Sequence, residues 1–117
     1  PGTSSRAGRG DRRIMETEFR DESLVMAQTI KSHAELRGMT AGAFALRWVL
    51  HNTLVTSVLA GPRTMAHWKG YLSALESGFT EEDEALVNQL VPMGHPSTPG
   101  YNDPQYAILG RPVRPYA

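Results

Sequence analysis

One short β-branched segment constrains the fold of this 117-residue chain more than any other feature. Residues 55–60 are rich in β-branched and small side chains and are followed directly by Gly61 and Pro62, which is typical of a single buried strand. We find no partner for this strand within the sequence. Because a lone strand leaves its backbone donors and acceptors unpaired, we expect the other strands of its sheet to lie outside this chain.

Two amphipathic helices are predicted before this strand, over residues 22–37 and 41–50, and two more are predicted after it. Threonines at the first positions, and glycines or a proline at the ends, support these boundaries. The residues with these roles are the caps Thr40, Thr64 and Thr80 and the terminators Gly38, Gly78 and Pro92. Helices that flank a parallel sheet are the arrangement of α/β folds, so we predict an α/β protein.

The sequence divides into three parts. Residues 1–20 contain glycines and arginines with almost no apolar periodicity, which predicts a loop. Residues 21–91 contain the strand and the helices, and residues 92–117 form a tail rich in proline and tyrosine. We expect the tail to lie along a surface, and the alternative is a frayed terminus. Because the chain begins with Pro1 in a polar loop, we expect it to be either processed or a piece of a larger protein.

Composition argues against several classes of protein. Twelve basic residues balance twelve acidic ones, so no net field attracts nucleic acid or an anionic membrane. The chain has no cysteine, which excludes a disulfide scaffold and thiol-bound zinc and fits a reducing compartment, so we expect a cytoplasmic protein. The histidines lack metal-ligand spacing, and the longest weakly polar run, residues 48–61, is too short to span a bilayer.

The end of the predicted strand is the candidate binding site. A strand, a glycine and a helix start follow one another within a few residues, and the free amides at a helix start attract anions. Arg63 adds a planar guanidinium that suits a phosphate. The alternative is that Gly61 and Pro62 form only a tight turn and that Arg63 is a surface charge. Local features leave both interpretations open.

No catalytic group is evident in the sequence. The serines show no nucleophile elbow, no Gly-x-Gly-x-x-Gly motif follows a strand, and no Walker loop is present. A single histidine is more often structural or exposed than catalytic, and we expect this for all four. They are His33, His51, His67 and His95.

Several segments together resemble the aldo-keto reductase family. They are the helix end at residues 33–40, the "Ala-Leu-x-Trp" helix at 44–50, the strand and Gly-x-Arg-Thr turn at 55–64, and the acidic helix start at 80–84. Residues 94–101 resemble the ending of a bacterial-type branch of the family. The similarity covers roughly residues 4–111, and the order and spacing of the motifs make it specific.

This resemblance implies the C-terminal part of a (β/α)8 barrel that reduces aldehydes or ketones with NADPH. Residues 1–20 would be the loop after strand seven, which folds over the cofactor, and residues 55–60 would be strand eight. The implied partners are the nicotinamide cofactor, a small carbonyl substrate and the remainder of the barrel. The residues implied to bind the cofactor are Gly61, Pro62, Arg63, Thr64, His67 and Tyr71.

Three of the matched positions differ from the family pattern. His67 stands where the family usually has a glutamine or arginine that contacts the phosphate, and it can still donate a hydrogen bond, more strongly when protonated. Gly70 and Tyr71 stand where a glutamate and an asparagine usually reach the adenine. Tyr71 can stack on the adenine instead. Because of Arg63, the resemblance favours NADPH over NADH.

The resemblance identifies no catalytic residue in this sequence, because the family's tyrosine, aspartate, lysine and histidine come from earlier strands. The chain alone is therefore predicted to be inactive. One alternative is a self-standing helical binding module without catalytic activity. Another is a nucleic-acid-binding protein that uses the N-terminal arginines, which the zero net charge and the absence of interleaved aromatic residues disfavour. Those arginines are Arg6, Arg9, Arg12 and Arg13.

Overall fold

The computed structural model describes residues 4–17, 19–92 and 111–117. Within these residues the chain forms five α-helices and no β-strand. The helices are α1 (Arg12–Thr17), α2 (Asp21–Leu36), α3 (Ala41–His51), α4 (Met65–Ala74) and α5 (Glu81–Leu90). Helices α2 to α5 are the four that the apolar spacing predicts.

Helix α1 differs from the prediction that residues 1–20 form only a loop. Asp11 precedes the helix, and its Oδ1 accepts a hydrogen bond from the Ile14 amide at 3.2 Å. Its Oδ2 accepts from Arg6 Nη2 at 2.9 Å, and this hydrogen bond lowers the pKa of the Asp11 carboxyl. An aspartate that caps the first turn satisfies an otherwise unpaired amide. A local cap therefore forms a short helix in a segment without apolar periodicity.

The three predicted threonine caps are confirmed. Each threonine hydroxyl accepts a hydrogen bond from the amide three residues later, at 3.1 Å for Thr40, 3.1 Å for Thr64 and 3.2 Å for Thr80. At Thr80 the cap is reciprocal, because Asp83 Oδ2 accepts from the Thr80 amide at 2.9 Å. The terminator Gly38 has φ 73°, the left-handed conformation that favours glycine after a helix.

The prediction that Gly78 ends α4 is wrong. The helix ends at Ala74, and Gly78 does not have the left-handed conformation of a glycine terminator. A glycine is needed here because of close packing, since a Cβ on Gly78 would lie 2.6 Å from Ala117 Cβ. The glycine therefore makes room for the C-terminal residues.

The predicted strand over residues 55–60 does not form in this structure. The segment connects α3 to α4 in extended or bent backbone, and Leu59 is fully exposed. An antiparallel β-bridge joins Asn52 to Val113 in the described part of the chain, but Asn52 lies before the predicted strand. A strand is stable only when its backbone groups are paired, and this segment has no neighbouring strand to pair with. The location of partner strands outside the sequence stays a prediction.

A small apolar core lies where α2, α3, α4 and the start of α5 meet. The rings of Phe44 and Phe79 are almost completely buried, with their centroids 5.5 Å apart. The buried apolar residues are Ala34, Met39, Ala43, Phe44, Ala74 and Phe79. The apolar stripe of α4 is exposed, in contrast, and consists of Met65, Trp68, Leu72 and Leu75.

Two buried carboxylates on α5 connect the elements around this core. Asp83 is fully buried; its Oδ1 lies 2.6 Å from His33 Nε2, and its Oδ2 pairs with the Arg37 guanidinium, so α5 is joined to the end of α2. Glu84 accepts two hydrogen bonds from Arg111, at 2.8 Å and 2.5 Å. Arg111 belongs to the C-terminal segment, which is thereby fixed to α5.

Candidate functional site

The turn that leads into α4 contains the candidate site. Thr64 is the N-cap of α4, with φ −137° and ψ 161°, and its hydroxyl accepts from the His67 amide. Helix geometry leaves the amides of Met65 and Ala66 without an intrahelical carbonyl to bond. The start of α4 therefore presents backbone donors and the positive end of a helix dipole to an anion.

Arg63 connects this turn to the N-terminal loop. Its Nη1 donates a hydrogen bond to the Ser4 carbonyl at 2.9 Å, and its backbone amide donates to His67 Nδ1 at 3.4 Å. With Nδ1 as the acceptor, the ring proton of neutral His67 lies on Nε2, which is then a donor. The main-chain amide of Arg63 thus holds the His67 imidazole at the start of α4, while the Arg63 guanidinium reaches the N-terminal loop.

Gly61 and Pro62 complete the turn and are exposed, as are Arg63, Thr64 and His67. No heavy atom lies within 4 Å of the position that a Cβ would occupy on Gly61. The backbone at this glycine is therefore open to a ligand, and the neighbouring donors face solvent.

Tyr71 lies apart from the turn but on the same side of α4. It follows His67 by four residues, the spacing that puts two side chains on one helix face. Its ring packs near Gly42 of α3, with Cε1 3.9 Å from where a Cβ on that glycine would lie. It also lines a groove of about 270 Å³ between α3, α4 and residues 55–60. The turn and this groove are therefore neighbours along α4.

Two features of the site were not found by sequence reasoning. Ser4 lies 59 residues before Arg63 and contributes a main-chain carbonyl, which every residue type has, so no sequence signal identifies it. The acceptor role of His67 Nδ1 depends on the position of the Arg63 amide in the folded turn. The predicted contact between Tyr71 and a bound adenine is a separate matter and stays a prediction.

Comparison with known proteins indicates which class of protein carries this turn. A sequence model of the Aldo/keto reductase family matches residues 2–92. This match defines an oxidoreductase class, and it spans most of the sequence. The chain belongs to the aldo/keto reductase family. No curated protein and no solved structure matches it.

Family membership confirms the resemblance to the family and indicates reduction of carbonyl compounds with a nicotinamide cofactor. The bacterial-type branch stays a prediction. The fold of this family is a (β/α)8 barrel, of which no strand forms in the residues described here. The motif at residues 94–101 and His95 lie outside the described residues. None of the helices in the described ranges has the length and apolar character needed to cross a bilayer.

Proposed function

We propose that this chain is the cofactor-binding C-terminal portion of an NADPH-dependent reductase of aldehydes or ketones, whose catalytic residues lie outside this sequence. The observation that supports the proposal most directly is the exposed turn at the start of α4, where Arg63, Thr64 and His67 are in contact. The family match over residues 2–92 supplies the reaction class.

The donors of the turn suit the 2′-phosphate of NADPH. Arg63 uses Nη1 to bond to Ser4, and its other N–H groups are suited to a bidentate pair with a phosphate. The first amides of α4 and the helix dipole add attraction for the same anion. His67 adds one neutral donor at Nε2. NADH has no phosphate at this position, so all these groups favour NADPH.

The other proposed contacts extend from the turn along the cofactor. Gly61 and Pro62 allow the backbone to approach the adenosine end, which the open space at Gly61 supports. Tyr71 stacks on the adenine from the groove beside α4, which its position on the same face as His67 supports. The nicotinamide supplies the hydride, and the residues of this chain bind and orient the opposite end of the molecule.

The N-terminal loop is proposed to cover the bound cofactor. The hydrogen bond between the Ser4 carbonyl and Arg63 supports this role, because it joins the loop to the turn. The loop is also ordered by internal hydrogen bonds, among them Gly8 N to Ser5 Oγ at 2.9 Å and Arg9 N to Ser5 O at 3.1 Å. A compact loop that is fixed at the turn can exclude water from the phosphate contacts.

The test is the substitution Arg63→Ala in the complete enzyme, with the dissociation constants of NADPH and NADH measured by fluorescence titration. Loss of a charge-assisted phosphate contact costs about 1.5–3 kcal/mol, so the NADPH dissociation constant should rise about 10- to 150-fold. The NADH constant should stay within about twofold of its original value, because that cofactor has no phosphate to lose. The matched control is Lys69→Ala, which removes an exposed charge from α4, the helix that follows Arg63. Equal weakening of both cofactors would exclude Arg63 from the phosphate site.

A further inference from the structure

The last described residues, 111–117, form a segment that we name the C-terminal clasp. The clasp crosses the end of α3 and the start of α5. Its backbone is paired with the residues after α3, through Thr53 N to Pro112 O at 3.0 Å and Arg114 N to His51 O at 2.9 Å. Its final amide, that of Ala117, donates to the Phe79 carbonyl at 3.0 Å. The clasp thus joins two elements that are distant in sequence.

Arginine side chains strengthen this attachment. Arg111 pairs with Glu84, donates from Nη1 to the Trp48 carbonyl at 2.9 Å, and places its guanidinium 4.3 Å from the centroid of the Trp48 ring. Arg114 donates to the carbonyls of Leu50 at 3.1 Å and Val55 at 3.3 Å. The clasp therefore also fixes the beginning of the segment that leads to the turn at the start of α4.

His51 lies beneath the clasp and is only 2% exposed. Its ring stacks on Tyr116 of the clasp, with centroids 5.0 Å apart and an interplanar angle of 28°, and lies 4.9 Å from the Phe79 ring. Its Nε2 is buried and has no hydrogen-bond partner among the described residues. The imidazole is therefore held as an aromatic core residue with one unsatisfied polar atom.

The charges around His51 oppose a proton on its ring. Arg47 of α3 and both clasp arginines, Arg111 and Arg114, act on it as cations, while Glu84 of α5 acts in the opposite direction. That carboxylate is already paired with Arg111. Burial, with a further contribution from Arg111, lowers the pKa of His51 below its ordinary value. Tyr116 is the titratable group whose ring contacts His51. It stays neutral where histidine titrates, because burial raises its pKa above the usual phenol value.

We infer that His51 makes the clasp acid-sensitive: a proton on its buried ring releases residues 111–117 from α3 and α5. A charged imidazole whose Nε2 has no acceptor must reach water, and Tyr116 is the residue of the clasp that covers it. Departure of Tyr116 uncovers the ring. The clasp acts in this way whether or not the turn at α4 binds a cofactor.

The direction of the pH effect follows from linkage. When the clasp is released, His51 regains its ordinary pKa of about 6.5, whereas in the clasped state its pKa is lower. The released state therefore binds more protons. The equilibrium constant for attachment of the clasp has its full value above pH about 6.5. It falls by up to about tenfold per pH unit as the pH decreases toward the lower pKa of the clasped state.

Hydrogen exchange of the complete protein tests this inference, with protection of the Arg114 and Ala117 amides measured between pH about 7.5 and about 4 and corrected for intrinsic exchange. Protection in the wild type should fall by up to about tenfold per pH unit below pH about 6.5 and level off below the lowered pKa of the clasped His51. His51→Phe keeps the stacked ring without a titratable nitrogen and should retain protection across this range. His67→Phe, which replaces an exposed histidine on α4, should show the same pH-dependent loss of clasp protection as the wild type.

Two results would overturn the inference. One is wild-type protection that stays constant from pH about 7.5 down to pH about 4. The other comes from an NMR titration of the His51 ring in the wild type, which also covers the case in which His51→Phe does not fold. The midpoint of that titration must coincide with the loss of clasp protection, and a His51 that gains its proton while the clasp stays protected contradicts the mechanism.

Discussion

Asp83 joins two parts of the chain that are distant in sequence through one buried carboxylate. It closes the capping box with Thr80 at the start of α5, and it pairs with His33 and Arg37 at the end of α2. A buried charge is stable only when such partners satisfy it. The same side chain therefore caps the start of α5 and fixes the packing of α2 on α5.

Substitution of Asp83 by asparagine should destabilise the complete protein by about 2–3 kcal/mol, because a neutral amide replaces the charged acceptor of several hydrogen bonds. Urea denaturation measures this change as a lower midpoint at constant slope. Glu82→Gln, one residue earlier and exposed, is the matched control and should change stability by less than about 0.5 kcal/mol. Similar midpoints for both variants would show that the Asp83 contacts do not stabilise the fold.

At the scale of single residues, the sequence identified the groups whose role is local. Thr64 was predicted as a cap and Arg63 as a residue of the turn because a glycine and a helix start surround them. The sequence placed Asp83 in the first turn of α5, but not beneath His33 and Arg37, since those partners lie 50 and 46 residues away. The burial of His51 was likewise not predicted, because its cover comes from the clasp.

The helices behave as locally encoded elements. Four of the five follow from apolar spacing, and three of these four begin at threonine caps. The fifth, α1, depends on Asp11, a cap in a segment without periodicity. Residues 55–60 behave differently, because a strand requires backbone partners that the described chain does not provide. Secondary structure was therefore predictable where the stabilising contacts are local, and it was not where they are long-range.

Two glycines, one within α4 and one in the loop that follows it, predict opposite effects of alanine. Gly78→Ala should destabilise attachment of the clasp by about 1–2 kcal/mol, because the new methyl group would meet Ala117 at 2.6 Å. Gly70→Ala should stabilise the protein by about 0.5–1 kcal/mol, because Gly70 lies within α4 with no heavy atom within 4 Å of the new Cβ. Thermal denaturation and exchange of the clasp amides measure both effects. A Gly78→Ala protein with an unchanged clasp would contradict the close packing.

At the scale of the whole molecule, large apolar surfaces face outward. Met65 at the start of α4 and Leu75, which follows its end, are 67% and 60% exposed, and Leu59 is fully exposed. An apolar groove of about 360 Å³ is lined by residues of α2, α3 and α5, with Trp48 and Val87 on its walls. Contiguous apolar surface of this kind is typical of faces that another element covers. In the family's barrel, the remaining strands and helices would cover them.

Residues 1–117 expressed alone should therefore show helical circular dichroism but no cooperative thermal transition. The described core contains few large buried side chains, chiefly Phe44 and Phe79, and local helix formation does not by itself produce a two-state transition. Near-ultraviolet circular dichroism and calorimetry provide the measurement. A sharp transition of the monomer with equal calorimetric and van't Hoff enthalpies would favour the self-standing helical module.

The hydrogen bond between Arg63 and Ser4 has a consequence for affinity. An arginine that is free in solvent loses about 0.5–1.5 kcal/mol of rotamer entropy when a ligand immobilises it. Because the Ser4 carbonyl already restricts this side chain, an incoming phosphate meets a preorganised guanidinium, and part of that entropic cost has been met during folding. Shortening the N-terminal loop should therefore weaken phosphate affinity even though every group proposed to contact the phosphate is retained.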